Sequence, residues 1–254
     1  MKHIGIALLV ALVAVASMAC GSSDLPKPVS TGPGAYVDPV DFSAMIDNPL
    51  FPLSSYSTLV YEGEEIDPKT GETITTRVEM TMLPDTEVVG GVEARVVRDE
   101  AFEDDELVES TLDYYAQHND GSVYYFGERV NNYENGELKD HEGSWLAGED
   151  ENEPGIIMPP APAVGDVFEQ EKAPGIAEDR MTVLSVTESV DVPAGSFTDC
   201  VKTEDVNPLD GTGAIEYKFY CPAVGFVLEE FEGGNLSWSA TSEEFMGASR
   251  WLHK

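Results

Sequence analysis

The chain has 254 residues, with 48 acidic against 14 basic side chains and a formal net charge of −34. A field of that sign repels phosphate backbones and anionic head groups, so nucleic acid is excluded as a partner and a membrane can be met only through a covalent anchor. Cations and basic proteins are the partners it favours, and the length allows one domain with a sizeable core.

Met1-Lys2-His3 precede an apolar run from Ile4 to Ala16. A membrane-spanning helix needs roughly 20 apolar residues, and this run is shorter. One Lys before it and small residues after it describe a signal peptide over residues 1–19. The stretch Ser17-Met18-Ala19-Cys20, opening onto Gly21-Ser22-Ser23, resembles the lipobox of bacterial lipoproteins. That resemblance implies an acyl chain on Cys20. Ser17 stands where a lipobox has an aliphatic residue, so Ser17-x-Ala19 also suits ordinary signal peptidase. The cysteine count favours the lipid: of three cysteines, acylation of Cys20 leaves Cys200 and Cys221 as a pair, with no odd thiol in an oxidising compartment. Each buried CH₂ of such an anchor contributes about 0.8 kcal/mol. Gly21 after the cysteine resembles the outer-membrane sorting pattern. The expected location is therefore the cell envelope, as an outer-membrane or surface lipoprotein, or otherwise the periplasm or the medium.

Residues 20–41 are rich in Ser, Pro and Gly without periodicity and read as a flexible tether. A single β-rich domain is expected over 42–246, with a C-terminal tail over 247–254. Near its start, Asn48-Pro49-Leu50-Phe51-Pro52-Leu53 carries prolines that block regular structure and apolar side chains fit to plug a core. Period two then takes over. Thr73 to Leu83 alternates Arg77, Glu79 and Thr81 against Val78, Met80 and Met82. Gly90-Gly91, the acidic residues 103–106, Asn119-Asp120-Gly121 and Asn135-Gly136 punctuate the strands that follow, as turn residues do. Residues 147–163 are interrupted by Pro and Gly and predict a long ordered loop. Strands resume at 166–170, 179–187, 190–192, 196–206, 215–220, 226–231 and 236–241. The class is mainly β, an antiparallel meander forming a β-sandwich or a partly closed barrel.

Asn207 to Gly213 is a turn segment centred between Cys200 and Cys221. Folding the chain there sets the cysteines opposite each other, Thr203 by Lys218 and Val206 by Ile215. Cross-strand Cβ atoms lie about 5 Å apart, which suits a disulfide.

No Gly-rich phosphate loop, H-E-x-x-H, C-x-x-C or G-x-S-x-G elbow occurs, and outside the N-terminal segment and the C-terminal tail the histidines are His118 and His141. This points to a non-enzymatic binding or structural role and to no cofactor. Calcium is the alternative ligand, because it takes six to eight oxygens and two acidic clusters offer them. In those clusters the ligands would be Asp104 and Asp105, and Asp150 and Glu151. A carbohydrate-active enzyme is a further alternative: two carboxylates would flank the sugar, with Tyr114, Tyr115, Tyr124, Tyr125, Phe126 and Trp145 as its platform. Loops on rigid sheets carry function, so Trp145, Met158, Glu171, Glu178 and Asp179, which flank the central loop, form the candidate loop site.

Between residues 48 and 231 the chain resembles a group of bacterial secreted or lipoprotein-type β-rich proteins with no assigned activity. The resemblance rests on NPLFPL (48–53), LVYEG (59–63), YYA (114–116), YYFGE (124–128), GSWLAG (143–148), PGIIMP (154–159), PGIAED (174–179), VPAGSF (192–197) and YKFYCPAVGFV (217–227). It departs from the group at Cys221, where a small residue is usual, and at Ala223, where Gly is expected. The resemblance thus implies that the disulfide is local to this chain. More loosely, the layout resembles half-barrels that shuttle lipoproteins or lipids.

Overall fold

The computed structural model describes residues 38–240 apart from 68–69, 210, 212 and 232–236, and for 237–240 the backbone alone. The expected signal peptide, Cys20, residues 20–37 of the expected tether and residues 241–254, with the expected C-terminal tail, lie outside the described residues. The strands are β1 (Phe42–Ser43), β2 (Thr58–Ile66), β3 (Thr73–Val89), β4 (Val92–Glu103), β5 (Glu106–His118), β6 (Val123–Glu134), β7 (Glu137–Asp140) and β8 (Trp145–Leu146). They continue as β9 (Glu153–Met158), β10 (Val167–Glu169), β11 (Glu171–Lys172), β12 (Arg180–Val192), β13 (Gly195–Val206), β14 (Glu216–Cys221), β15 (Gly225–Phe231) and β16 (Ser237–Ala240).

All pairings between these strands are antiparallel, and β2 to β6 form the expected meander. Its turns fall where the sequence placed them. Asn135 and Gly136 both take positive φ at the β6–β7 turn, a conformation Asn and Gly accept at little cost. The C-terminal half adds β12, β13, β14 and β15 in order, and β16 lies between β15 and β2. The two ends of this path meet in one stretch of chain. Residues 167–169 pair with β12, residues 171–172 pair with β9, and Gln170 lies between. A split strand thus joins the two ends of the path along a short seam, and the sheet curls into a partly closed barrel.

Three expectations change. The segment 147–163 is not loop throughout, since β9 occupies 153–158 and pairs with both β6 and β11. Gly155 makes this possible: a Cβ there would sit 2.0 Å from the Gln170 carbonyl oxygen, so only glycine admits the crossing backbone. The strands expected at 179–187 and 190–192 are one strand, β12, whose register shifts three times against β13 while its pairing continues. Ahead of β1, residues 39–41 of the expected tether form a 3-10 turn. There the Asp41 carbonyl accepts from Asn119 N at 2.8 Å and its carboxylate from Asn119 Nδ2 at 3.0 Å.

The main core joins the meander to the plug, with Ile46, Phe51 and Leu53 buried among Tyr61, Met80, Tyr115, Tyr125 and Phe226. Asn48 pins the plug by donating from Nδ2 to the Gly121 and Pro159 carbonyls at 2.9 and 3.2 Å. A smaller cluster on the other half holds Val190, Phe219 and Val227 around the Cys200–Cys221 disulfide, whose Cα atoms are 4.2 Å apart. Thr203 faces Lys218, the register expected from the turn at 207–213.

Candidate functional site

The strands bury charge as well as apolar surface. Asp99, Asp113, Glu128, Glu171, Asp205 and Glu229 are buried, as is Lys218. Strand register explains how they meet. Asp113 on β5 lies opposite Glu128 on β6, and Asp99 on β4 lies opposite Thr111 on β5. Lys218 on β14 lies opposite Glu229 on β15. Two like charges directly across a ladder destabilise a sheet, and burial removes the water that would soften the repulsion.

Burial and mutual repulsion raise the pKa values of these carboxyl groups. Asp113 is pushed up to about 7 by burial, against hydrogen bonds from Tyr125 Oη at 2.9 Å and Thr111 Oγ1 at 3.2 Å that favour its charged form. Glu128 is raised well above the usual range by burial, then by Glu171 and Asp113. Asp99 is raised by burial and by Asp113. Half-buried Glu109 is pushed up to about 8 by burial and by Asp113. On the opposite half, burial works against the charge of Lys218, but Glu216, Glu229 and Asp205 outweigh it and lift it well above its ordinary value. Its ammonium lies 3.1 Å from Glu216 and 3.4 Å from Asp205.

Glu171 connects this interior to the outside. It belongs to the split strand, is only 3 % exposed, and its carboxyl group lies against the Trp145 indole. Burial raises it first and Asp179 next, while Lys218 and the adjacent Trp145 indole favour its charged form. On its outer side Glu171 lines a cleft of about 350 Å³ with Glu151, Glu153, Glu169, Lys172, Pro174, Glu178 and Arg180. Lys172 is paired with Glu153, and Arg180 approaches Glu169 at 3.8 Å. Glu178 accepts from Gly175 N at 2.9 Å.

The structure therefore brings together part of what the sequence singled out. Glu171 and Glu178 share the cleft, and Asp179 follows Glu178 just ahead of β12. Trp145 and Met158 are buried below, in the main core. Glu151 joins the cleft from the acidic cluster at 149–153. The other acidic cluster is remote. Residues 147–148 abut Gly90 at one end of β4, whereas Asp104 and Asp105 turn the chain at its other end, about 35 Å away along the strand. Asp104 and Asp105 have positive φ, and Asp104 Oδ1 accepts from Thr75 N at 3.0 Å. Asp150 likewise has positive φ in a tight turn. Among the described residues, no three His, Cys, Asp or Glu side chains converge to hold a metal ion. Of the aromatic residues considered as a sugar platform, Tyr114, Tyr115, Tyr125, Phe126 and Trp145 are core residues. His118 pairs with Asp120 at a turn, and His141 Nδ1 lies 2.8 Å from the Val130 carbonyl.

No family model matches the chain, and no curated protein matches it. Two solved structures resemble it. One is a candidate lipoprotein from Parabacteroides distasonis, 15% identical, with TM-score 0.36, covering 76% of this chain and 97% of its own. The other is a candidate exported protein with a YmcC-like fold from Bacteroides fragilis, 12% identical, with TM-score 0.33, covering 72% of this chain and 92% of its own. Likeness this loose transfers neither fold nor function, so the architecture and the cleft rest on this chain alone.

Proposed function

We propose that the protein is an exported envelope lipoprotein, tethered through Cys20, whose β domain binds a ligand without turning it over. The observation that carries the binding role is the seam cleft. Buried carboxyl groups with raised pKa values are costly to keep, and such groups cluster at functional sites. Here one such group, Glu171, sits in the wall of a cleft within the size range of ligand pockets, built on the split strand that closes the sheet. Export and anchoring are supported by the N-terminal segment, Met1 to Cys20, and by the Ser/Pro/Gly-rich stretch that follows it.

Two measurements test this reading. In a bacterial host fed an alkyne fatty acid, the wild-type chain is expected to take up label and stay with the membrane fraction, and Cys20→Ala to do neither. Equal labelling of both would overturn the anchor. Hydrogen exchange of the purified protein is expected to slow at 151–158 and 167–180 in the low-molecular-mass fraction of an envelope extract. Unchanged exchange there would overturn the cleft as the binding place.

A further inference from the structure

We infer that the seam is a pH-gated strap: β11 stays on β9 while Glu171 and Glu128 are not charged together, and parts from it when both are ionised. This does not depend on the ligand of the cleft proposed above. It starts from strand register. Asp113, Glu128 and Trp145 form one row across β5, β6 and β8, each directly opposite the next. Glu171, on β11, lies against the same Trp145 indole. The strap thus lays a third carboxyl group beside two that the sheet already sets face to face. All three are buried, and neither Glu128 oxygen has a hydrogen-bond partner.

The surrounding elements add negative charge or neutral rings. From β5 come Asp113 and Glu109, with Asp99 on β4 beside Asp113, and Asp179 acts from just ahead of β12. Tyr115 and Tyr125 face the same carboxyl groups as uncharged phenols. Lys218 acts on Glu171 from the far half, but Glu216 and Asp205 hold it at 3.1 and 3.4 Å, and Glu229 lies opposite. Charging Glu128 and Glu171 together therefore sets like charges in a dry interior, and parting the seam gives them water. The strap is lightly held. β11 pairs with β9 through two residues. The Gln170 and Glu171 amides donate to the Asp179 carbonyl at 2.8 and 3.3 Å, and Gln170 Nε2 donates to Asp205 at 3.2 Å. Segments with so few bonds open before the sheet as a whole. Burial and neighbouring carboxyl groups raise Glu128 and Glu171 well above the usual carboxylate range. Their contribution to closure is thus complete in acid and lost as pH rises through the raised values.

The test is hydrogen exchange of the full chain in a neutral detergent at pH 6 and pH 9, corrected for the intrinsic rise of amide exchange with pH. Each proton released on opening shifts the equilibrium about tenfold per pH unit, so protection at 153–158 and 171–172 is expected to fall at least about tenfold more than at 76–82 of β3. Glu128→Gln keeps the shape of the side chain and removes one of the two charges, and is expected to shrink that pH response at least about threefold. A purely structural role for Glu128 would instead lower protection by one factor at both pH values and leave the response unchanged. If Glu128→Gln does not fold, Glu171→Gln carries the same comparison, and the wild-type response stands as a test by itself. Equal losses at the seam and in β3, no loss at the seam, or an unchanged response in the folded variant would each overturn the inference. The extract experiment above is run at one pH, so failure of the ligand reading and failure of the gate are read separately.

Discussion

Asp113 shows how one buried side chain makes the domain sensitive to pH. Its ordinary value is 3.8 and burial pushes it up to about 7, so between those limits the folded state holds a proton that the unfolded state has released. The stability this contributes is complete below about pH 4 and is lost as pH rises through 7. Urea unfolding is therefore expected to show a less stable protein at pH 8 than at pH 5. Asp113→Asn should recover about 1–3 kcal/mol of that difference, since a tenfold change in proton affinity between the folded and unfolded states corresponds to about 1.4 kcal/mol. An identical pH slope in the variant would show that the proton sits elsewhere. Three of the interior carboxylates, Asp99, Glu128 and Glu229, were legible in principle, because each interrupts an apolar stripe of period two. The stripes are Val97-Asp99-Ala101, Phe126-Glu128-Val130 and Val227-Glu229-Phe231. In a chain with 48 acidic residues such a position is hard to notice until the face of each strand is known. Glu171 was found for a different reason, its place beside the central loop.

At the scale of elements, turns were the legible part and the seam was not. Gly90-Gly91, Asn119-Asp120-Gly121 and Asn135-Gly136 announce themselves by their tolerance of positive φ. The 207–213 turn also placed Cys200 across from Cys221 correctly. That disulfide spans 21 residues and is expected to add about 3 kcal/mol. Both thiols should alkylate only after reduction, and melting under reductant should show the corresponding loss. β9 escaped notice because Pro154 and Gly155 read as breakers in a chain viewed alone. Their meaning depends on Gln170, a residue 15 positions away that no local pattern connects to them. Gly155→Ala is expected to part β9 from β11, costing about 3 kcal/mol. Limited proteolysis between 147 and 163 would detect the opening, and unchanged cleavage would show that the seam tolerates a side chain.

For the whole molecule, the antiparallel β class followed from alternation and turn spacing, but the choice between sandwich and barrel did not. Closure depends on a single strand serving two neighbours, and pairing partners are set by tertiary packing. The net charge of −34 acts at this scale too. Self-repulsion in the compact state should ease as salt screens it, so moving from low salt to about 0.5 M sodium chloride is expected to add about 1–2 kcal/mol, roughly 5 °C in Tm. Equal ionic strengths of calcium and sodium chloride should give equal shifts if screening is the whole effect.

The placement of β16 carries a consequence for the order of assembly. A ribosome delivers β2 among the first strands, yet one of its two edges pairs with β16, the last described strand. The other neighbour of β16 is β15. Until residues 237–240 have emerged, β2 and β15 each present a bare row of amides and carbonyls to whatever chain is near. A nascent or C-terminally clipped molecule thus has two sticky margins, and the finished one has covered both with a single short insertion. Stop codons introduced just before Ser237 should yield a protein that pairs with copies of itself, at concentrations where the intact chain does not.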